Sequence, residues 1–125
     1  MRLALKRKTT KRCVNNMGTN YLKQKNDLWV LYNGKEYCVG LTKKAQDDLG
    51  KITFATLPKV GEKIEQGQAI LEVEAEKAVC EFQSPISGVV SSINEQLADF
   101  NHEDEMQAWV LSFKEVDPTE FEALA

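Results

Sequence analysis

Lys77 is the residue of this 125-residue chain whose setting most invites chemistry. It is the one lysine between Lys63 and Lys114, and the residues on either side alternate apolar and polar with a period of two. Folding the chain so that Glu76 and Lys77 form a two-residue turn pairs Ala75 with Ala78, Val73 with Cys80 and Leu71 with Phe82. All six then share one face of the ribbon, while Glu72, Glu74, Val79 and Glu81 share the other. A one-residue slip would carry charge into the core, so the register is well specified. Lys77 is expected as the outermost side chain of an exposed, wet hairpin. Glu-Lys lacks the conformational ease of Asn-Gly at such a tip, which suggests that something besides folding selects these residues. A Schiff-base or general-base lysine needs burial or a neighbouring cation to lower its pKa. Here Glu74, Glu76 and Glu81 favour the charged form instead. The chemistry open to Lys77 is that of an acceptor, a protruding amine that another enzyme acylates. The plainer alternative is a lysine that serves solubility and guards a sheet edge.

The other reactive residue types offer less. His102 is the sole histidine, which excludes a histidine-cluster metal site. Its segment, Asn101-His102-Glu103-Asp104-Glu105, reads as a solvated loop rather than a ligand set. Cys13, Cys38 and Cys80 are an odd count with no CxxC pair. That excludes a disulfide scaffold and a cysteine-rich zinc site and fits a reducing compartment. Cys80 falls on the inward face of the hairpin as a small hydrophobe, and Cys38 has no evident role. Trp29 and Trp109 sit in apolar strand patterns and are expected in the core. No GxSxG, Walker, GxGxxG or HExxH pattern occurs.

Several short elements must position the hairpin. Leu28 to Tyr32, then Asn33-Gly34, then Lys35 to Leu41 predict two strands joined by a tight type I′ turn. Thr42 can cap a short helix through Leu49, with Gly50 as its left-handed C-terminal residue. Residues 51–57 predict a strand stopped by Pro58. Alternation predicts strands over 68–75 and 78–83. Ser84-Pro85-Ile86-Ser87-Gly88 reads as a turn before a strand from Val89 to Ile93, and Trp109 to Phe113 as a late strand. Asp117-Pro118-Thr119-Glu120 predicts a capping box with proline at the first position of a C-terminal helix. Many short strands with frequent turns indicate an antiparallel sandwich or barrel with peripheral helices.

Composition excludes other classes. Hydrophobic residues make up 42% and charged residues 28%, a globular balance. No apolar run approaches the roughly 20 residues of a spanning helix, so no membrane-spanning role is expected. Residues 1–25 carry eight basic residues and no acid, while 26–125 hold eight basic and nineteen acidic ones, a net −11. An acidic body repels phosphate backbones, which argues against nucleic acid as a partner. The basic leader, residues 1–25, is expected to lie outside the folded domain of 26–125, as a disordered tail or as sequence ahead of a start at Met17. Its charged middle excludes a secretory signal, and its lack of serine is atypical of a mitochondrial presequence.

Gly67 lies ten residues before Lys77 and Gly88 eleven after, around Glu74-Ala75-Glu76-Lys77-Ala78. This segment resembles the attachment site of the lipoyl and biotinyl carrier family. Biotin carriers flank the lysine with methionine; Glu76 and Ala78 stand there instead, which favours lipoate. The likeness extends through Val39-Gly40-Leu41-Thr42, Ala45-Gln46-Asp47-Asp48-Leu49-Gly50, Leu57-Pro58, Val60-Gly61, Ser84-Pro85, Ser87-Gly88, Asn94-Glu95, Leu97-Ala98-Asp99 and Asp117-Pro118. In this order the chain from about Leu28 to Leu124 resembles the glycine cleavage system H protein.

That resemblance implies a barrel-sandwich hybrid, a flattened antiparallel β-sandwich with short peripheral helices. It implies lipoic acid in amide linkage to Lys77. It also implies that Glu74, Glu76, Ala78, Gly67 and Gly88 are recognised by the lipoylating enzyme, a lipoate ligase or octanoyltransferase. The chain would be a carrier and not an enzyme, a cytoplasmic monomer without metal, or a mitochondrial one if the leader is a presequence. Its partners would be glycine decarboxylase, aminomethyltransferase and dihydrolipoyl dehydrogenase. The likeness breaks at Phe100 to Ala108, which is shorter than usual and lacks glycine. In the family the loaded arm folds into a surface cleft, so this segment is expected to reshape a wall of that cleft and weaken its protection. Two other readings fit the residues: a lipoyl donor or redox-signalling relative, and an unmodified acidic interaction module.

Overall fold

The computed structural model describes residues 2–4, 22–25 and 27–124. Ten strands and two helices follow one another as β1 (Arg2–Ala4), β2 (Leu22–Lys25), β3 (Leu28–Tyr32), β4 (Tyr37–Leu41), α1 (Lys43–Leu49), β5 (Ile52–Thr56), β6 (Lys63–Ile64), β7 (Ala69–Ala75), β8 (Val79–Gln83), β9 (Gly88–Ile93), β10 (Trp109–Lys114) and α2 (Pro118–Glu122). They form two antiparallel sheets, neither closed, in the orders β1-β5-β7-β8 and β2-β3-β4-β10-β9-β6. The expected flattened β-sandwich with peripheral helices, one of them C-terminal, is the architecture observed.

The main core lies between the sheets. Val30, Val39 and Leu41 of the larger sheet belong with Ala55, Leu71, Val73 and Phe82 of the smaller one to a single buried cluster. Burying each of the larger apolar side chains contributes roughly 1.5–3 kcal/mol. Trp29 and Trp109 are buried as expected, but in a separate cluster with Leu31 and Cys38, flanked by Leu22 and Met106. Successive residues of a strand point to opposite faces, so β3 feeds both clusters and is apolar almost throughout.

Four expectations need correction. Within residues 1–25, placed outside the domain by composition, β1 pairs with β5 and β2 with β3. The rest of that leader lies outside the described residues. The β3–β4 tip is Gly34-Lys35 rather than Asn33-Gly34. Asn33 N–H donates to Glu36 O, and Asn33 Oδ1 accepts from the Lys35 and Glu36 N–H groups. Asn33 thus serves as a side-chain turn mimic, the alternative use of that residue type. Asp117 caps α2 as expected, but Glu120 does not close the capping box. Its carboxylate accepts from Ser87 N–H and from Ser87 Oγ. Lastly, Cys38 is disulfide-bonded, against the reading of the odd cysteine count as that of a reducing compartment, while Cys80 is free.

Candidate functional site

The β7–β8 hairpin has the register read from its alternation, with Leu71 opposite Phe82 and Val73 opposite Cys80. Ala75 N–H donates to Ala78 O at 3.0 Å, closing a two-residue tip of Glu76 and Lys77. Neither residue takes a positive φ, so the tip needs no glycine. Its outward donors are spent elsewhere: Glu76 N–H bonds to Lys51 O and Lys77 N–H to Leu49 O, each at 3.0 Å. Glu76 Oε1 in turn accepts from Lys51 N–H at 3.0 Å. The tip is therefore exposed, as expected, and is also braced against the end of α1. Part of what selects Glu76 is folding.

Gly50 makes this approach possible. It ends α1 with φ 74°, and a Cβ there would meet Glu76 Oε1 at 3.1 Å and Lys77 Cγ at 3.3 Å. Lys77 is exposed, yet its Nζ donates to Asp47 O at 2.9 Å. The last carbonyls of a helix lack intrahelical partners and carry the negative end of its dipole. No basic residue lies in the last turn of α1. Lys77 supplies that cation from a different element.

Beside Lys77 opens a cleft of about 480 Å³ whose lining includes Gln46, Asp47, Gly50, Asn101, His102 and Glu103. Asn101 fixes one wall: Nδ2 donates to Gly50 O at 2.8 Å and Oδ1 accepts from Ile52 N–H at 2.7 Å. Gln46 Oε1 accepts from His102 N–H at 2.7 Å, and His102 Nδ1 accepts from Asp104 N–H at 3.1 Å. His102 is half-buried against that wall, in a loop whose Asn101, Glu103 and Asp104 are exposed, as expected of a solvated segment. Sequence reasoning missed Asn101 and Gln46 as positioning residues. Only the break in family likeness at Phe100 to Ala108 signalled that the segment mattered.

Of the residues linked to Lys77 by resemblance, the fold gathers Glu74, Glu76 and Ala78 around the tip. Gly67 and Gly88 lie at the opposite end of the hairpin. Gly67 takes φ 89° in a turn sealed by its N–H to Ser84 O. At Gly88 a Cβ would meet Val116 Cγ2 at 2.8 Å and Lys114 O at 3.0 Å. Both are needed by the backbone where they stand. Among the described residues no group of three or more His, Cys, Asp or Glu could hold a metal.

A β-sandwich that holds a braced, exposed lysine beside an open cleft defines a class of fold and leaves the family open. The sequence comparisons say which one. Residues 19–125 match the family model for the glycine cleavage H-protein. The chain is 39% identical over 108 residues to the glycine cleavage system H protein of Acidobacterium capsulatum, covering 84% of each chain. It is 36% identical over 100 residues to that of Listeria monocytogenes, covering 77% of this chain and 80% of the relative. The crystal structure of the H protein from Mycobacterium marinum superposes with a TM-score of 0.66 at 22% identity, over 84% of this chain and 95% of that one, a likeness of fold. The chain belongs to the glycine cleavage H-protein family. Its role is that of a lipoyl carrier in the glycine cleavage system, a component of that system and not one of its catalysts.

Proposed function

We propose that Lys77 is the residue that carries the lipoyl group, in amide linkage to Nζ. The observation that supports this most is the seat of the tip, where two backbone hydrogen bonds to Leu49 and Lys51 hold Lys77 over the cleft. Lipoate supplies a redox-active dithiolane at the end of a long arm. The chain's own residues fit it: the anchor is exposed and rigid, and the adjoining cleft has walls fixed by Asn101 and Gln46. A firm anchor keeps the arm's far end at high effective concentration among docked partners. Those partners are glycine decarboxylase, aminomethyltransferase and dihydrolipoyl dehydrogenase, with a lipoate ligase or octanoyltransferase loading the arm. Glu74, Glu76 and Ala78 present the lysine to the loading enzyme, and Gly67 and Gly88 act through the fold. The relatives named are bacterial, which supports a cytoplasmic setting over a mitochondrial one.

Intact mass before and after a lipoate ligase reaction tests the assignment. The wild-type chain should gain one lipoyl group, and the Lys77→Arg protein none, although arginine can still donate to Asp47 O. A lipoyl group gained by Lys77→Arg, at Lys43 for instance, would refute it.

A further inference from the structure

The last turn of α1 carries a charge arrangement that its own residues do not balance. Asp47 and Asp48 set two carboxylates at the negative end of the helix dipole, and no basic residue lies in that turn. Lys43 and Lys44 pair with them at 3.4 and 3.0 Å, but from one turn earlier. A lysine placed N-terminal to its acid at this spacing is the weaker orientation. Lys77 answers with two donors from the hairpin tip. Its backbone N–H bonds to Leu49 O at 3.0 Å, and its Nζ to Asp47 O at 2.9 Å. In the same turn Gly50 N–H reaches Gln46 O at 2.9 Å, and Asn101 Nδ2 reaches Gly50 O at 2.8 Å. One residue of a distant element thus closes the C-terminus of α1, in part through a charge that acylation would remove.

We propose that the Lys77 ammonium is the C-terminal cap of α1, and that acylation of Nζ uncaps the helix and loosens this wall of the cleft. The consequence for the loaded chain rests on the reading of Lys77 as the acylated residue; the cap itself does not. In the reaction the ammonium first gives a proton to solvent. The amine then attacks the carbonyl of an activated acyl group, the N–C bond forms, the leaving group departs and a second proton is lost. Three N–H groups and a positive charge become one N–H in a neutral amide. The backbone N–H of Lys77 is untouched, so the tip stays seated on Leu49 and Lys51. What changes is the end of α1, whose Gln46, Asp47 and Gly50 line the cleft with Asn101 and His102. Loaded and unloaded chains then differ in the cleft wall itself, and not in the added arm alone.

Amide hydrogen exchange of the full chain at low salt provides the test. The probe is the Gly50 N–H, whose bond to Gln46 O closes the helix. Lys77→Gln is neutral like the amide and should speed exchange there about two- to fivefold. Lys77→Arg keeps the cation and should exchange as the wild type does. The gap between wild type and Lys77→Gln should shrink at high salt, because an exposed charge is screened. The Val90 N–H, whose bond to Glu62 O involves neither α1 nor the tip, should exchange alike in all three proteins. Equal Gly50 exchange in wild type and Lys77→Gln, equal acceleration in Lys77→Arg, or as large a change at Val90 overturns the cap. The lipoylated wild type should match Lys77→Gln, and wild-type exchange in the lipoylated chain overturns the uncapping. A chain that gains no lipoyl mass overturns the assignment of Lys77 as acceptor, while Lys77→Gln still decides the cap.

Discussion

Asn101 connects the cleft wall to the end of α1 and the start of β5 through two backbone groups, at Gly50 and Ile52. Replacing it with alanine leaves the part-buried Ile52 N–H without its acceptor. Such a loss costs about 1–3 kcal/mol. Asn101→Ala should therefore lower the denaturation midpoint and speed amide exchange at Ile52, while Lys77 still accepts lipoate. Asp117 provides a residue-scale pH dependence. The Thr119 hydroxyl, at 2.6 Å, and the Thr119 N–H, at 2.9 Å, hold its carboxyl below the usual carboxylate range. A depressed folded pKa contributes stability that is complete above the unfolded value, about 3.9, and is lost as pH falls through the folded one. The stability gap between wild type and Asp117→Ala should stay constant above about pH 5 and narrow below pH 4. A gap that widens on acidification would contradict the hydrogen-bond assignment.

Between elements, the decisive contacts join parts distant in sequence. The β7–β8 tip is braced by α1, and Ser87 by the first turn of α2. On β4, Gly40 lies directly beneath the Trp29 indole, and a Cβ there would collide with that ring and with Ala108 O. The same indole Nε1 donates to Leu41 O at 3.2 Å and Glu105 O at 2.9 Å, tying the turn of Glu105–Gln107 to the sheet. Gly40→Ala must push the ring away from both acceptors. Overpacking of this kind costs about 1–3 kcal/mol. The expected signs are a lower midpoint in denaturant and a shifted Trp emission maximum, with the register of β7 and β8 unchanged.

For the molecule as a whole, the two apolar clusters share the six-stranded sheet, since β3, β4 and β10 contribute side chains to both. Neither cluster can persist once that sheet is lost. Thermal unfolding followed by Trp fluorescence, which reports the smaller cluster, should coincide with unfolding followed by far-ultraviolet circular dichroism. Separate transitions would mean that the outer cluster opens on its own. The acidic body has a complementary consequence. Residues 26–125 carry a net −11, so association with basic partner surfaces should slow as ionic strength rises.

Local pattern determined what depends on neighbours along the chain. Period-two alternation set the pairs Leu71–Phe82 and Val73–Cys80, because a slip of one residue exchanges the faces. Thr42, Gly50 and Asp117 marked helix ends, because a cap acts within three residues of its own position. Those pairs, with the family likeness around Lys77, placed the lysine at a hairpin tip. Tertiary structure alone decided what surrounds it. Asn101 meets Gly50 and Ile52 across about fifty positions of sequence, and Lys77 Nζ meets Asp47 O across thirty. Glu120 fits a capping box by spacing yet turns to Ser87, because folding brings that donor within reach. Three-residue β1 and four-residue β2 carry no pattern strong enough to separate them from a charged tail. Their pairing depends on edges that β5 and β3 offer only after the sheets have formed.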